Sequence, residues 1–320
     1  MSKKNSQEDL KKIAAQFNKH INQQYQEAVS YVPDTSKKES VIVSNWLELS
    51  PVLKDALNLP GLPIGNITCI YGKPDSGKST ILMEAIAAAQ KQGILPFLVL
   101  TEHKFDFNRL EKYMGADLES MVVLHADNLE QGYDFVEKIL KGIKKGEIVL
   151  EGEDGEDISI DVTELKCFIF WDSIGNTMSE SELEYDVTDW AKSMGKGAKA
   201  IKTLTRRVNR LLSKVRQRVG ILLLNQSYMS MPPFGLSKET PYGGEGVPYS
   251  SALVIRLRNL GDIKMTLKGK EMGIGVKTKI QVIKNHITHT RPISNVFTVA
   301  TGMISPDKKT LDEFKKTYMR

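Results

Sequence analysis

The sequence has 320 residues, with 44 Lys and Arg against 39 Asp and Glu (net +5), and 41% of it is hydrophobic. At about 100–200 residues per domain, this allows one large domain or two modest ones, with enough apolar content for a packed core. Two cysteines exclude a disulfide scaffold or a four-cysteine zinc site; no apolar run approaches the roughly 18 residues of a membrane span, and the polar start MSKKNSQEDLKK has no signal-peptide core. A soluble, cytoplasmic protein with no membrane partner is expected.

Leu10, Ile13, Ala14, Phe17, Ile21 and Tyr25 recur at helical spacing, so 6–28 is expected to be one amphipathic helix, followed by a linker to about 50. Its apolar stripe needs a partner, either the chain's own core or a neighbouring subunit. From 64 onward, apolar strand-like runs at 67–71, 96–101, 121–125, 167–172 and 220–225 alternate with helical patterns near 79–91, 107–114, 130–145 and 195–217. Such alternation predicts an α/β fold with a mostly parallel central sheet. Further runs at 252–257, 263–267, 276–284 and 296–300 come without helices and are expected to extend the sheet as antiparallel hairpins. The expected organisation is 1–50 as N-terminal helix and linker, and 51–320 as the core.

Charge is unevenly spread. Residues 147–164 hold eight acids and no Lys or Arg, and the Asp154-Gly155 turn between apolar runs predicts a hairpin insertion. Residues 192–218 hold ten Lys or Arg and no acid. Such a run neutralises phosphates and releases counterions, which gives sequence-independent, salt-sensitive nucleic-acid binding; the alternative is a solvated helix face.

Gly72-Lys73-Pro74-Asp75-Ser76-Gly77-Lys78-Ser79 fits G-x-x-x-x-G-K-[ST] between a predicted strand and a predicted helix that continues through Thr80. Glycines let the backbone wrap phosphate oxygens, Lys78 is expected to reach the β- and γ-phosphates of a nucleotide, and Ser79 to ligate Mg²⁺. Phe168-Ile169-Phe170-Trp171-Asp172 is an apolar strand ending in a carboxylate, and Asp172 is expected to hold the Mg²⁺ shell through water. Glu102 follows the strand at 96–101, where a carboxylate can deprotonate an attacking water. Asn225-Gln226 ends another strand, where an amide can sense the γ-phosphate.

In this order the pieces resemble the RecA family of strand-exchange recombinases. The resemblance rests on Gly61-Leu62-Pro63-Ile64-Gly65, the phosphate loop, Glu102-His103, Asn225-Gln226 with a loop closing at Gly243-Gly244, and Lys284-Asn285-His286. Asp172-Ser173-Ile174-Gly175-Asn176 is most similar to the tailed-phage, UvsX-type branch, which implies a host cytoplasm. The resemblance implies a RecA-like ATPase core, a DNA-dependent ATPase using ATP and Mg²⁺, and a homo-oligomeric helical filament on single-stranded DNA that pairs with double-stranded DNA. Single-strand-binding and loader proteins are further partners of such filaments. It makes Glu102 the water-activating base, Gln226 the phosphate sensor, and Asp106 and Arg109 adenine contacts. Lys284 then acts on the neighbour's γ-phosphate, with His286 where bacterial members have a second lysine. The 6–28 helix docks on the adjacent protomer, and no separate C-terminal domain is expected.

On the DNA side, Lys192, Lys196, Lys199 and Lys202 fall on the family's first DNA loop, and from Arg206 onward the run is expected to be helix, serving DNA, packing or the filament interface. Met229, Met231 and Phe234 lie in the apolar stretch 227–239. There Met231 or Phe234 would wedge between base steps, unless these residues pack on the protein's own core. Two other readings stay open: a hexameric helicase or translocase on the same core, and a non-catalytic assembly factor.

Overall fold

The apolar runs 67–72, 97–100, 167–171 and 221–224 lack polar alternation, the pattern of strands covered on both faces. In the computed structural model, which describes residues 45–102, 104–151, 157–183, 195–230, 237–267, 270–299 and 304–318, these runs form the middle of one sheet. The expected helix at 6–28, His103, the Asp154-Gly155 turn, Lys192, Met231 and Phe234 lie outside the described residues.

The sheet is built from β3 (Ile67–Gly72), β4 (Leu95–Leu100), β5 (Val122–His125), β8 (Cys167–Asp172), β9 (Val219–Ser230), β11 (Leu253–Leu267), β12 (Lys270–Asn285), β13 (Ile293–Val299) and β14 (Ile304–Ser305). Their order is β14-β13-β12-β11-β3-β9-β8-β4-β5. Every pair from β11 to β5 is parallel, and β12, β13 and β14 continue antiparallel. The expected α/β architecture is the observed one.

Alternate residues of these strands feed two cores. Ile70, Leu98, Leu100, Phe168, Phe170, Leu222 and Leu224 pack with α2 (Lys78–Lys91) and α1 (Pro51–Leu57) on one face. Cys69, Phe97, Val99, Ile169, Trp171 and Leu223 pack with α4 (Leu129–Lys145) and α6 (Lys196–Leu212) on the other. A single exposed turn of helix, α5 (Glu180–Leu183), follows β8. Burial pushes the Cys69 thiol up to about 12, so it behaves as a core residue. Short polar caps set the helix starts: Asp106 accepts from the Arg109 N–H (2.9 Å) to open α3 (Phe107–Met114), and Asn128 accepts from the Gln131 N–H (2.8 Å) to open α4.

Several boundaries differ from expectation. The runs 252–257 and 263–267 are one strand, β11, interrupted by a bulge between Asn259 and Asp262. Residues expected in the linker include β1 (Trp46–Glu48), which pairs with β2 (Gly61–Pro63). A helix over Lys308–Tyr318, α8, follows β14; its buried Leu311 packs on Ile263. The helical pattern at 195–217 is the helix Lys196–Leu212, so Lys196, Lys199 and Lys202, expected on a DNA loop, lie on a helix instead.

The acidic insertion is the hairpin β6 (Glu147–Glu151) and β7 (Asp157–Asp161), a separate two-stranded sheet. The Arg218 guanidinium ties the connection after it down by donating to the Val162 carbonyl at 3.2 Å. Arg218 adjoins the start of β9, so the hairpin sits at the amino edge of the parallel strands. Among the described residues no helix is long and apolar enough to cross a membrane.

Candidate active site

The carboxyl edge of the parallel strands gathers the chemistry. β3 ends at Gly72, and residues 73–77 turn the chain into α2. The turn needs left-handed backbone at Asp75 (φ 55°) and Gly77 (φ 92°). At Gly72 a Cβ would lie 2.4 Å from the Leu257 carbonyl, so only glycine lets β11 lie this close to the loop. The loop borders a cleft of about 250 Å³ lined by residues 75–80, Arg109, Gly275, Val276 and Thr298.

Lys78 curls back over the loop, its ammonium donating to the carbonyls of Gly72 (2.9 Å) and Lys73 (2.8 Å). Burial holds its pKa below the ordinary lysine value, against the opposing pull of Asp172, Glu102 and Asp75. The Ser79 hydroxyl donates to Asp172 Oδ2 at 3.4 Å. Asp172 is pushed up to about 6, first by burial and then by the Glu102 charge, with Lys78 and Ser79 opposing. Glu102 is steadied by Ser173, whose hydroxyl donates to Glu102 Oε1 at 2.9 Å. Thr101 in turn donates to the Ser173 carbonyl at 2.8 Å. The Asp172–Ser173 peptide is cis.

This donor set fits a magnesium-bound triphosphate. A loop of N–H groups opens a helix, an ammonium lies over it, and a hydroxyl and a carboxylate stand together. The Ser76 hydroxyl is buried with no hydrogen-bond partner among the described residues, as expected of a group reserved for a ligand or its water.

The two expected adenine contacts separate. Arg109 lines the cleft, its Nη2 donating to Thr80 Oγ1 at 2.7 Å. Asp106 is exposed, with one carboxylate oxygen committed to the α3 cap. The opposite wall comes from Gly275, Val276 and Thr298 of β12 and β13. No local pattern marks these three; strand order alone brings them to the loop.

Gln226 stands opposite Gly72 on the neighbouring strand. β9 does not end there. It runs on to Ser230 and pairs with β10 (Lys238–Pro241), so the stretch expected to be a loop begins as a hairpin. Tyr228 and Met229 on this hairpin are each 45% exposed. The buried Glu239 carboxylate fastens the foot, accepting from Ser227 Oγ (2.8 Å) and Arg258 Nε (2.8 Å). Asn225 Nδ2 donates to the Tyr242 carbonyl at 2.9 Å. Gly243 and Gly244 follow with φ of 79° and 65°, a turn that returns the chain to α7 (Gly246–Ser250).

On α6, Lys199, Lys202 and Arg206 are exposed and Lys196 is half-buried. Two positives of the same run are structural instead. Arg207 Nε pairs with the buried Glu137 at 2.9 Å, and Arg218 holds the Ile143 carbonyl in the last turn of α4 and the Val162 carbonyl after the hairpin. Lys284 pairs in register with Val254, whose partner on β3 is Cys69 rather than Gly72. It therefore lies toward the amino edge, away from its own chain's phosphate loop, donating to the carbonyls of Pro248 (2.8 Å) and Tyr249 (3.1 Å). Its charge lowers the pKa of the exposed His286, which keeps that imidazole neutral at pH 7.

The RecA N-terminal domain family matches residues 11–300 of this sequence. The chain belongs to the RecA family. It is 30% identical to Protein RecA of Acholeplasma laidlawii over 74% of this chain and 63% of that protein. It is 29% identical to Protein RecA of Chlorobaculum tepidum over 74% and 60%, respectively. Protein RecA of Ureaplasma parvum is 27% identical over 90% of this chain and 75% of its own length. The RecA-family chain thus spans less than two thirds of the first two relatives.

Proposed function

We propose that this RecA-family chain is an ATP-dependent recombinase that assembles into helical filaments on single-stranded DNA and promotes homologous pairing and strand exchange with double-stranded DNA. The observation that carries the proposal is the path of β9. The same strand that sets Gln226 beside Gly72 continues without a break into the exposed Tyr228–Met229 hairpin. A nucleotide-sensing position and a candidate DNA-contacting element are one continuous strand.

In this reading the loop N–H groups, Lys78, Ser79 and Thr80 hold the phosphates, and Ser79 with Asp172 holds Mg²⁺, which neutralises phosphate charge. ATP supplies the phosphoanhydride that is cleaved. Glu102, held by Ser173, orients and deprotonates the attacking water. Arg109 covers the base. Gln226 reports the γ-phosphate to the hairpin. Lys284, directed away from its own site, serves the site of the next protomer, and the 6–28 segment docks on that protomer. Lys196, Lys199, Lys202 and Arg206 neutralise DNA phosphates, while Met229, Met231 and Phe234 meet the bases, with the Gly243-Gly244 turn closing that loop. Within the family, residues 172–176 support the tailed-phage branch, and hence action in a host cytoplasm.

The deciding experiment is negative-stain microscopy with single-stranded DNA and a non-hydrolysed ATP analogue, beside a strand-exchange assay. Helical filaments with strand exchange are expected. Closed rings with directional unwinding would instead establish a helicase.

A further inference from the structure

We infer that Asn259 and Thr278 are positioning residues that clamp the phosphate loop in its anion-binding form from the antiparallel half of the sheet. The inference rests on the nucleotide-site reading and assigns that site a support outside its own motif.

A loop that aims its N–H groups at an anion must turn its carbonyls away and satisfy them elsewhere. Two successive carbonyls here are satisfied by side chains about 200 residues downstream in sequence. Asn259 Nδ2 donates to the Asp75 carbonyl at 3.0 Å, and Thr278 Oγ1 donates to the Ser76 carbonyl at 3.1 Å. A hydroxyl carries one hydrogen. With that of Thr278 given to Ser76, Thr278 can only accept in its 3.2 Å contact with Thr298 Oγ1, whose own single hydrogen is shared with the Val276 carbonyl at 3.2 Å. Thr278 is fully buried, so its hydroxyl has no water to prefer.

Asn259 is fixed as well. Its Oδ1 accepts from the Gly261 N–H at 2.7 Å, inside the β11 bulge. The bulge thus re-aims one side chain onto the loop, a recurrent use of such irregularities. The clamp also leaves no room for a side chain at Gly77, where a Cβ would meet Thr278 Oγ1 at 2.9 Å. Without the clamp, the peptide between Asp75 and Ser76 is free to rotate and to present a carbonyl dipole to the phosphates.

The test uses the full chain with fluorescent mant-ATP and mant-ADP, together with hydrogen exchange over 72–79 in nucleotide-free protein. Thr278→Val should weaken both nucleotides about tenfold, the scale of leaving a buried carbonyl unpaired, and Asn259→Ala, where water can reach the exposed Asp75 carbonyl, by a few-fold. Both should speed exchange in the loop and raise KM more than they lower kcat. Thr278→Ser, which keeps the hydroxyl, should restore binding. Asn259 is exposed, so its variant reports even if the buried Thr278→Val folds poorly. Wild-type affinity and exchange in Asn259→Ala, or equal losses in Thr278→Ser and Thr278→Val, would overturn the clamp while leaving the site intact. A wild-type chain that binds neither labelled nucleotide would overturn the site itself.

Discussion

Replacing Asp172 by Asn should make the metal-free, nucleotide-free protein more stable while abolishing its Mg²⁺-dependent stabilisation by nucleotide. Asp172 rises from the ordinary 3.8 to about 6 because it is buried beside Glu102. The folded state therefore keeps its proton to higher pH than the unfolded state does, so stability is full below about pH 4 and is lost as pH rises through about 6. A shift of about two units, at about 1.4 kcal/mol each, places the cost of the ionised carboxylate near 3 kcal/mol at pH 7.5. An Asn oxygen can still accept from Ser79, so the variant removes the charge and little else. At about 2–4 °C per kcal/mol for a unit of this size, the apo midpoint should rise by about 5–10 °C at pH 7.5. The gain should shrink to about a third at pH 4.5, where much of the cost has not yet appeared. Thermal melts with chelator at the two pH values, repeated with Mg²⁺ and an ATP analogue, make the measurement. An unchanged apo midpoint at pH 7.5, or an equal gain at both pH values, would refute the reasoning.

Lys78→Ala should lose nucleotide binding, whereas Glu102→Gln should bind normally and hydrolyse about 10²–10⁴-fold more slowly, as filter binding and phosphate release would report. Lys199→Ala or Lys202→Ala should flatten the log–log salt dependence of oligonucleotide binding by about 0.7 for each phosphate no longer neutralised; Arg207→Ala should instead lower the melting temperature, since it leaves the buried Glu137 short of a partner. Mixing Lys284→Ala with Lys78→Ala protein should regain some DNA-dependent ATPase activity, because mixed interfaces join an intact loop to an intact lysine. Mixtures as inactive as either parent would remove Lys284 from the neighbour's site.

The parts of the site that could be read beforehand are those written contiguously. The loop 72–79, the strand ending at Asp172 and the strand ending before Glu102 each carry their own local pattern, and the parallel sheet brings them to one edge. The far wall of the cleft could not be read. Gly275, Val276 and Thr298 belong to ordinary-looking strands, and they meet the loop because β11 intervenes between β3 and β12. Gly261, in the gap between two apolar runs, looks like a turn, yet the ladder absorbs it as a bulge. Charge alone was equally ambiguous. Arg207 and Lys199 are both exposed members of one basic run, and only Glu137 on the facing helix marks Arg207 as an ion-pairing residue. The stretch after Gln226 looked irregular because of its prolines and methionines, but β10 supplies a partner ladder that no pattern in 227–230 could announce.

The unbroken run of β9 also sets a mechanical scale. From Gln226 to Ser230 the strand extends about 14 Å at roughly 3.4 Å per residue, so it is a lever with its pivot beside the phosphate loop. A tilt of about 5° at the pivot moves the far end by about 1 Å, before any length contributed by the loop beyond it. The Glu239 bonds to Ser227 and Arg258 brace the lever near its pivot rather than at its tip, which keeps the arm straight and leaves its reach intact. A rigid tilt of that size at the Gln226 end would therefore displace the far end by about an atomic radius.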